Sequence, residues 1–229
     1  MTRKDEIKEA YRSLGKAHSM YDKMMTGTSF LGRLIDKIVW QMDQDDLLEY
    51  QARSLEGIPK DFQGKLLEVP VGTGVLSVPI FSTLPKADIT CLDYSPKMME
   101  TAQERAKELN VSNIRFVQGD VGELPFADET FDAVVSLNGF HAFPDKEAAY
   151  RETNRVLKKD GLFTGCFYVY GVNEKTDRMI SRFHVKRGFF TPPFETMDSL
   201  RKRLEGMYEE VELSNIQSIA CFTCRRKKI

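Results

Sequence analysis

The 229-residue chain has little surplus charge, no long apolar run, a single tryptophan, three histidines and four cysteines. No apolar stretch approaches the roughly 18 residues needed to span a bilayer. The opening Met1-Thr2-Arg3-Lys4-Asp5-Glu6 lacks the apolar core of a signal peptide. These absences predict a cytoplasmic protein with no membrane span. Lysine and arginine number 33 against 34 aspartates and glutamates, a net charge of −1. Nothing in that balance attracts a polyanion, so no nucleic-acid partner is expected and a small or neutral molecule is favoured. Cys91, Cys166, Cys221 and Cys224 fall inside predicted strands without repeated spacing, the pattern of reduced core thiols rather than disulfides. Cys221 and Cys224 have no second ligand pair and point to opposite faces of a strand, so no metal is expected.

What is present is a core and a change of period. Hydrophobic residues make up 41% of the chain, enough for one large domain. Leu31, Leu34, Ile35, Ile38, Val39 and Met42 recur at helical spacing, as do Ile7, Ala10, Tyr11 and Leu14. Residues 1–60 therefore read as a helical cap, and residues 61–229 as the main body that packs with it. After Pro59, short apolar runs alternate with amphipathic segments: strands at Asp88 to Asp93, Ile114 to Val117, Phe131 to Leu137 and Leu162 to Tyr170, with helices from Ser95-Pro96 and over Ala148 to Leu157. That alternation predicts an α/β fold with a mostly parallel sheet covered by helices on both faces. Thr196 to Leu204 reads as a helix, and Glu209 to Ile216 with Ile219 to Arg225 as a closing hairpin that adds an antiparallel strand. Arg225-Arg226-Lys227-Lys228 reads as a solvated tail.

Leu66-Leu67-Glu68-Val69-Pro70-Val71-Gly72-Thr73-Gly74 is an apolar run ending in a Gly-x-Gly turn, followed by a helix start at Leu76 to Leu84 and a carboxylate, Asp93, nineteen positions after Gly74. Glycines let backbone approach a ligand closely, and a carboxylate at the next strand tip can accept both hydroxyl protons of a ribose. The layout is that of a nucleoside site. Taken alone, it also fits a plain strand-to-helix turn or a nicotinamide dehydrogenase loop with Ser77 in the third small position.

Further segments narrow the choice: Leu92-Asp93-Tyr94-Ser95-Pro96-Lys97-Met98-Met99, Gln118-Gly119-Asp120-Val121-Gly122-Glu123-Leu124-Pro125-Phe126, Phe131-Asp132-Ala133-Val134-Val135-Ser136 and Glu152-Thr153-Asn154-Arg155-Val156-Leu157-Lys158-Lys159-Asp160-Gly161. In order and spacing the chain resembles the class I S-adenosylmethionine-dependent methyltransferases, in the group that includes the quinone C-methyltransferases. Tyr21-Asp22-Lys23-Met24-Met25 resembles the opening of the quinone enzymes. The resemblance implies a Rossmann-like seven-stranded sheet whose last strand is antiparallel, and S-adenosylmethionine as cofactor.

By the same resemblance Glu68 meets the cofactor's amino group, Gly72 and Gly74 pass its methionine part, and Asp93 holds the ribose. Tyr94 or Met98 flanks the adenine, while Asp120 and the N–H of Val121 read its edge. The carbonyls around Leu137 and Asn138 face the amine. The family usually begins its loop with glycine where this chain has Pro70, which has no N–H to offer. Tyr21, Phe140, His141 and Phe183 are the candidate acceptor residues. His141, just after the fourth predicted strand, is the candidate base or else a histidine packed at a helix start; His184 and His18 read as surface residues. The aromatic-rich segment 171–195 builds the acceptor site, or packs on the cap or on the second subunit of a homodimer. Three functions follow: methyl transfer to a small molecule, transfer to a macromolecule, or a non-catalytic cofactor-binding protein.

Overall fold

A computed structural model describes residues 18–27 and 29–228, and for His18, Ser19 and Met20 the backbone only. The predicted helix through Ile7 and Leu14, and the side chain of His18, lie outside the described residues.

Seven strands form one sheet: β1 Gly64–Glu68, β2 Ala87–Asp93, β3 Ile114–Gln118, β4 Phe131–Leu137, β5 Leu157–Tyr168, β6 Tyr208–Ile216 and β7 Ile219–Arg226. Their order is β3-β2-β1-β4-β5-β7-β6. β1 is central because Leu66 and Leu67, on its two faces, are both fully buried. It pairs in parallel with β2 (Leu66 opposite Ile89) and with β4 (Leu66 opposite Ala133). β7 runs antiparallel to both β5 and β6, so the closing hairpin supplies the one reversed strand. Arg225 and Arg226 belong to β7 rather than to a free tail, and Arg225 pairs with Glu210.

Side chains alternate between two cores, as the period of a strand requires. Leu66, Ile89, Ala133, Val135 and Cys221 face one side, with the cap; Leu67, Val134, Phe163, Phe222 and Cys224 face the other. Cys221 and Cys224 thus lie on opposite faces. Helices fill both sides: α4 Ser77–Phe81, α5 Pro96–Glu108, α6 Lys146–Val156, α7 Glu174–Met179, continued as a π-helical turn Ile180–His184, and α8 Met197–Met207. Local signals set their starts: Ser95 caps α5 with Pro96 at the first turn, and Thr196 and Ser199 form a capping box on α8.

The cap consists of α1 His18–Met25, α2 Phe30–Ile35, continued as a π-helical turn Asp36–Trp40, and α3 Gln44–Arg53. The order along the chain places β1 and β4 side by side where the strand order reverses, so their carboxyl ends open a crevice. The cap closes over that end. The predicted apolar stripe is rotated: Leu31, Leu34 and Ile38 are exposed, while Gly32, Asp36, Val39 and Met42 are buried. Gly32 explains the rotation. A Cβ there would lie 2.6 Å from the Lys23 carbonyl oxygen, so only glycine lets α2 lie against the backbone of α1, and one turn later Asp36 is carried inward.

Candidate functional site

The crevice is a cleft of about 1020 Å³, and its walls are the tips of the strands and the loops that leave them. The loop after β1 turns at Gly72 and Gly74, both at positive φ (57° and 65°). The two glycines do different work. A Cβ on Gly72 would meet nothing within 4 Å because it faces the open cleft, whereas one on Gly74 would lie 2.6 Å from Val78 in α4. Asp93, at the tip of β2, fixes the loop: its Oδ2 accepts the Gly72 N–H at 2.8 Å and its Oδ1 accepts the Ser95 N–H at 2.7 Å. With the Tyr94 N–H as a third backbone donor, the carboxylate still keeps acceptor capacity for a ligand hydroxyl. Asp120 accepts the Gly122 N–H at 2.8 Å, which sets the turn beyond β3.

Two carboxyls under the loop are unusual. Burial pushes Glu68 up to about 8, against the nearby Ser77 hydroxyl and the Cys91 thiol, which donates to Oε2 at 3.5 Å, both of which favour its charged form. Burial also raises Asp93, to about 6, against the backbone N–H groups of Ser95, Gly72 and Tyr94. Near neutral pH Glu68 is therefore largely a neutral acid, and a cation brought beside it would draw off its proton. Across the cleft Asn138, at positive φ (56°), closes β4; its N–H donates to the Cys166 carbonyl and its side-chain amide to the Tyr50 hydroxyl at 2.6 Å.

Behind Asn138 lies a second, larger cavity of about 1450 Å³ between the cap and the segment after β5. Tyr21 and Asn138 line both spaces. Its wall is mostly apolar, with Met24, Met25, Val39, Trp40, Met179, Phe183 and Phe190 among the lining residues. The aromatics pack on one another: Trp40 meets Phe190 at 6.2 Å between centroids, and the His141 ring stacks on Phe190 at 4.0 Å. Few polar groups reach this space, Asp36 and His184 among them.

His141 has the environment of a donor rather than a base. Its Nδ1 accepts the Tyr168 N–H at 3.2 Å, and burial, helped by Lys146 and His184, lowers it to about 3. A neutral imidazole with Nδ1 accepting carries its proton on Nε2. The tyrosines differ: burial raises Tyr21 and Tyr50 above the ordinary phenol value, so their hydroxyls remain donors.

Residues 66–161 match the model of a methyltransferase domain. This stretch is therefore similar to methyltransferase domains. Over 148 residues, 64% of this chain, it is 33% identical to a demethylmenaquinone methyltransferase of Thermotoga maritima, of which it covers 59%. A demethylmenaquinone methyltransferase of Staphylococcus carnosus is 30% identical over the same length and covered to 58%. The chain thus spans under two thirds of the curated relatives it matches. Among solved structures, a possible histamine N-methyltransferase of Thermotoga maritima aligns with 95% of this chain and 100% of its own, at TM-score 0.64 and 16% identity. The [4+2]-cyclase SpnF aligns with 82% of this chain and 86% of its own, at 0.66 and 18%. The cyclase is a reminder that this fold alone does not fix a chemistry.

All eleven residues that the sequence resemblance gives to a cofactor line the first cleft: Glu68, Pro70, Gly72, Gly74, Asp93, Tyr94, Met98, Asp120, Val121, Leu137 and Asn138. Tyr21, His141 and Phe183 line the second cavity. Phe140 does not: the loop after β4 turns it into the opposite core, where it is fully buried and stacked on Tyr150 at 4.2 Å. His184 also lines the cavity rather than lying on the surface. Sequence reasoning missed Ala142, Phe143 and Pro144 on the cofactor side, although a loop leaving β4 was a place to look. It also missed Asp36, Trp40 and Tyr50 in the cap.

Proposed function

We propose that this protein binds S-adenosylmethionine in the first cleft and transfers its methyl group to an apolar small molecule held in the second cavity. One observation carries the reading: the cleft at the strand tips and the apolar cavity meet at Tyr21 and Asn138, where a methyl group would have to cross. The residues suit the cofactor. Glu68 is buried and no Lys or Arg among the described residues shifts it, and Gly72 leaves open space where a side chain would stand. Asp93 would hold the ribose, Asp120 and Val121 the adenine, and Glu68 the amino group. The 171–195 segment and the cap, residues 1–60, would enclose the acceptor.

When bound, the cofactor supplies a sulfonium-borne methyl group open to in-line displacement. The chain supplies alignment and exclusion of water, which in well-oriented pairs are worth up to about 7–11 kcal/mol. Tyr21 and Asn138 orient the groups on either side of the crossing point. His141 supports the cavity wall through Phe190 and holds the Tyr168 backbone; it removes no proton. Pro70 lies against Gly139, where a Cβ would come within 2.4 Å of its ring, and so serves loop packing in place of an N–H contact.

The net charge of −1 and the apolar wall favour a small acceptor over a nucleic acid. Among the described residues no helix is long and apolar enough to cross a membrane, in keeping with a protein that works in the cytoplasm. The test is a transfer screen with the radiolabelled methyl donor over quinols, phenols, thiols and amines, with Asp93→Ala as control. Labelled product that disappears in the variant is expected. Cofactor binding without transfer to any acceptor class would replace the enzyme reading with that of a cofactor sensor.

A further inference from the structure

The packing of Gly32 on α1 turns Asp36 inward, but nothing among the described residues pairs with the carboxyl oxygen Oδ2 that this buries. Asp36 begins the π-helical turn of α2, a departure from regular helix that often marks a functional position. Its backbone is satisfied: the N–H donates to the Arg33 and Gly32 carbonyls, and the carbonyl accepts from Gln41 and Met42. Its side chain is not. The residue is 95% buried, being 5% exposed, and it lines the second cavity. Oδ2 has no hydrogen-bond partner, and no basic residue forms an ion pair with it among the described residues. A carboxyl oxygen left unpaired in apolar surroundings is destabilising when the group is charged, and Leu or Met at this position would avoid that.

The surroundings define what would pair with it. Trp40, four residues on, stands beside Phe190, and Phe183 lines the same space. The other titratable or charged residues there are Tyr21, Tyr50, His141, His184 and Arg187. Tyr50 is engaged by Asn138, His141 is held neutral, and Arg187 is exposed. Burial raises Asp36 itself to about 7, so both its neutral and charged forms are available near neutral pH, and either can accept a hydrogen bond.

We propose that Asp36 recognises the methyl acceptor, its carboxyl taking a hydrogen bond from a hydroxyl on an apolar, ring-bearing molecule seated among Trp40, Phe183 and Phe190. The inference rests on the second cavity being the acceptor site. Asp36 is then a specificity residue: it selects a ring that offers a proton over the same ring without one. Shape and apolar burial supply the rest of the affinity, while the buried carboxyl penalises an acceptor that leaves it unpaired.

The test uses two probes, 2-naphthol and naphthalene, with the wild-type chain, Asp36→Leu and Asp36→Asn. Affinities are read from probe fluorescence, thermal stability from melting, and S-adenosylmethionine affinity from calorimetry. Wild type is expected to bind 2-naphthol about 10-fold or more tightly than naphthalene, the scale of a hydrogen bond to a charged or desolvated group. In Asp36→Leu that preference should fall to within about 2-fold, naphthalene should bind at least as well as before, and the melting temperature should rise as the unpaired carboxyl is removed. If the leucine variant does not fold, Asp36→Asn keeps the shape, and a smaller preference than wild type is the expected result. A preference unchanged in either variant, or absent in wild type, overturns the proposal. The cofactor titration separates the two readings. Cofactor binding with no Asp36-dependent preference sinks this inference alone. A preference that tracks Asp36 without any cofactor binding supports the site and sinks the methyl-transfer reading.

Discussion

Asp22 in the cap accepts a hydrogen bond from the Thr73 hydroxyl, at the tip of the glycine loop, at 2.8 Å. Its other oxygen pairs with Arg105 of α5 at 2.6 Å, and Arg105 returns to the Thr73 carbonyl at 2.7 Å. Three elements distant in sequence are thus tied at one point, and the tie holds α1 over the cleft. All three partners are largely shielded from water, which makes the cluster more than a surface ion pair. Asp22→Ala should loosen α1 by about 1–3 kcal/mol, the cost of leaving such partners unsatisfied. Hydrogen exchange should then quicken in His18–Met25 while β1 and β4 are unaffected. Unchanged protection of α1 would show that the cap docks by apolar contact alone.

The pH dependence of stability follows from buried acids. Glu68, Asp36 and Asp93 hold their protons up to about 8, about 7 and about 6, against roughly 4 in an unfolded chain. Each contributes stability that is complete below that unfolded value and is lost as pH rises through the folded one. His141, lowered to about 3, acts oppositely: its contribution is present above roughly pH 6.5 and lost as pH falls. His184 is lowered by burial and has the same sign. Above about pH 6.5 the histidines' part of the pH dependence fades over roughly one pH unit and the acids, which oppose it, dominate. The ligand-free melting temperature should therefore decline between pH 6.5 and 8.5. A rise over that interval would mean that these carboxyls are charged and paired.

The tautomer of His141 can be read directly. Nitrogen-15 spectra of the imidazole should show a neutral ring protonated on Nε2 throughout pH 5 to 8, unlike a residue that cycles as a base. His141→Asn should lower stability by about 1–3 kcal/mol, through the lost stacking and backbone contact, with turnover reduced less than about 10-fold, short of the 10²–10⁴ attributed to a general base. A larger loss of turnover with intact stability would restore it as a catalyst.

Much of this site was legible because its chemistry is written in backbone terms. Gly72, Gly74 and Asp93 act through turn geometry and strand ends, which short-range sequence carries, and strand limits such as Phe131–Leu137 follow from short, mainly apolar runs. What resisted reading depends on contacts between distant elements. The rotation of α2 hangs on Gly32 meeting α1, and no periodicity in residues 31–42 reveals it. Phe140 and His141 are neighbours in sequence yet serve opposite faces of the sheet. Asp36, on the buried side of a helix, reads as a solvent-facing charge until the helix is turned.

Gly139 and Gly72 separate packing from conformation. A Cβ at Gly139 would lie 2.4 Å from the Pro70 ring and 2.6 Å from Phe143, whereas at Gly72 it meets open space but sits at φ 57°. Gly139→Ala should cost about 1–3 kcal/mol by overpacking and displace the glycine loop, weakening cofactor binding. Gly72→Ala should cost about 1–2 kcal/mol of backbone strain. Melting curves and calorimetry on the two variants check this; equal effects would mean that Pro70 and Gly139 do not set the loop.

The most direct measurement is a crystal structure of the protein grown with S-adenosylmethionine. The account predicts the nucleoside across the tips of β1, β2 and β4, with the ribose hydroxyls on Asp93, the adenine against Asp120 and Val121, the amino group by Glu68 and the methyl pointing past Asn138 toward Trp40. Density for the cofactor at any other place, or a cleft that stays free of it at saturating concentration, would contradict the account.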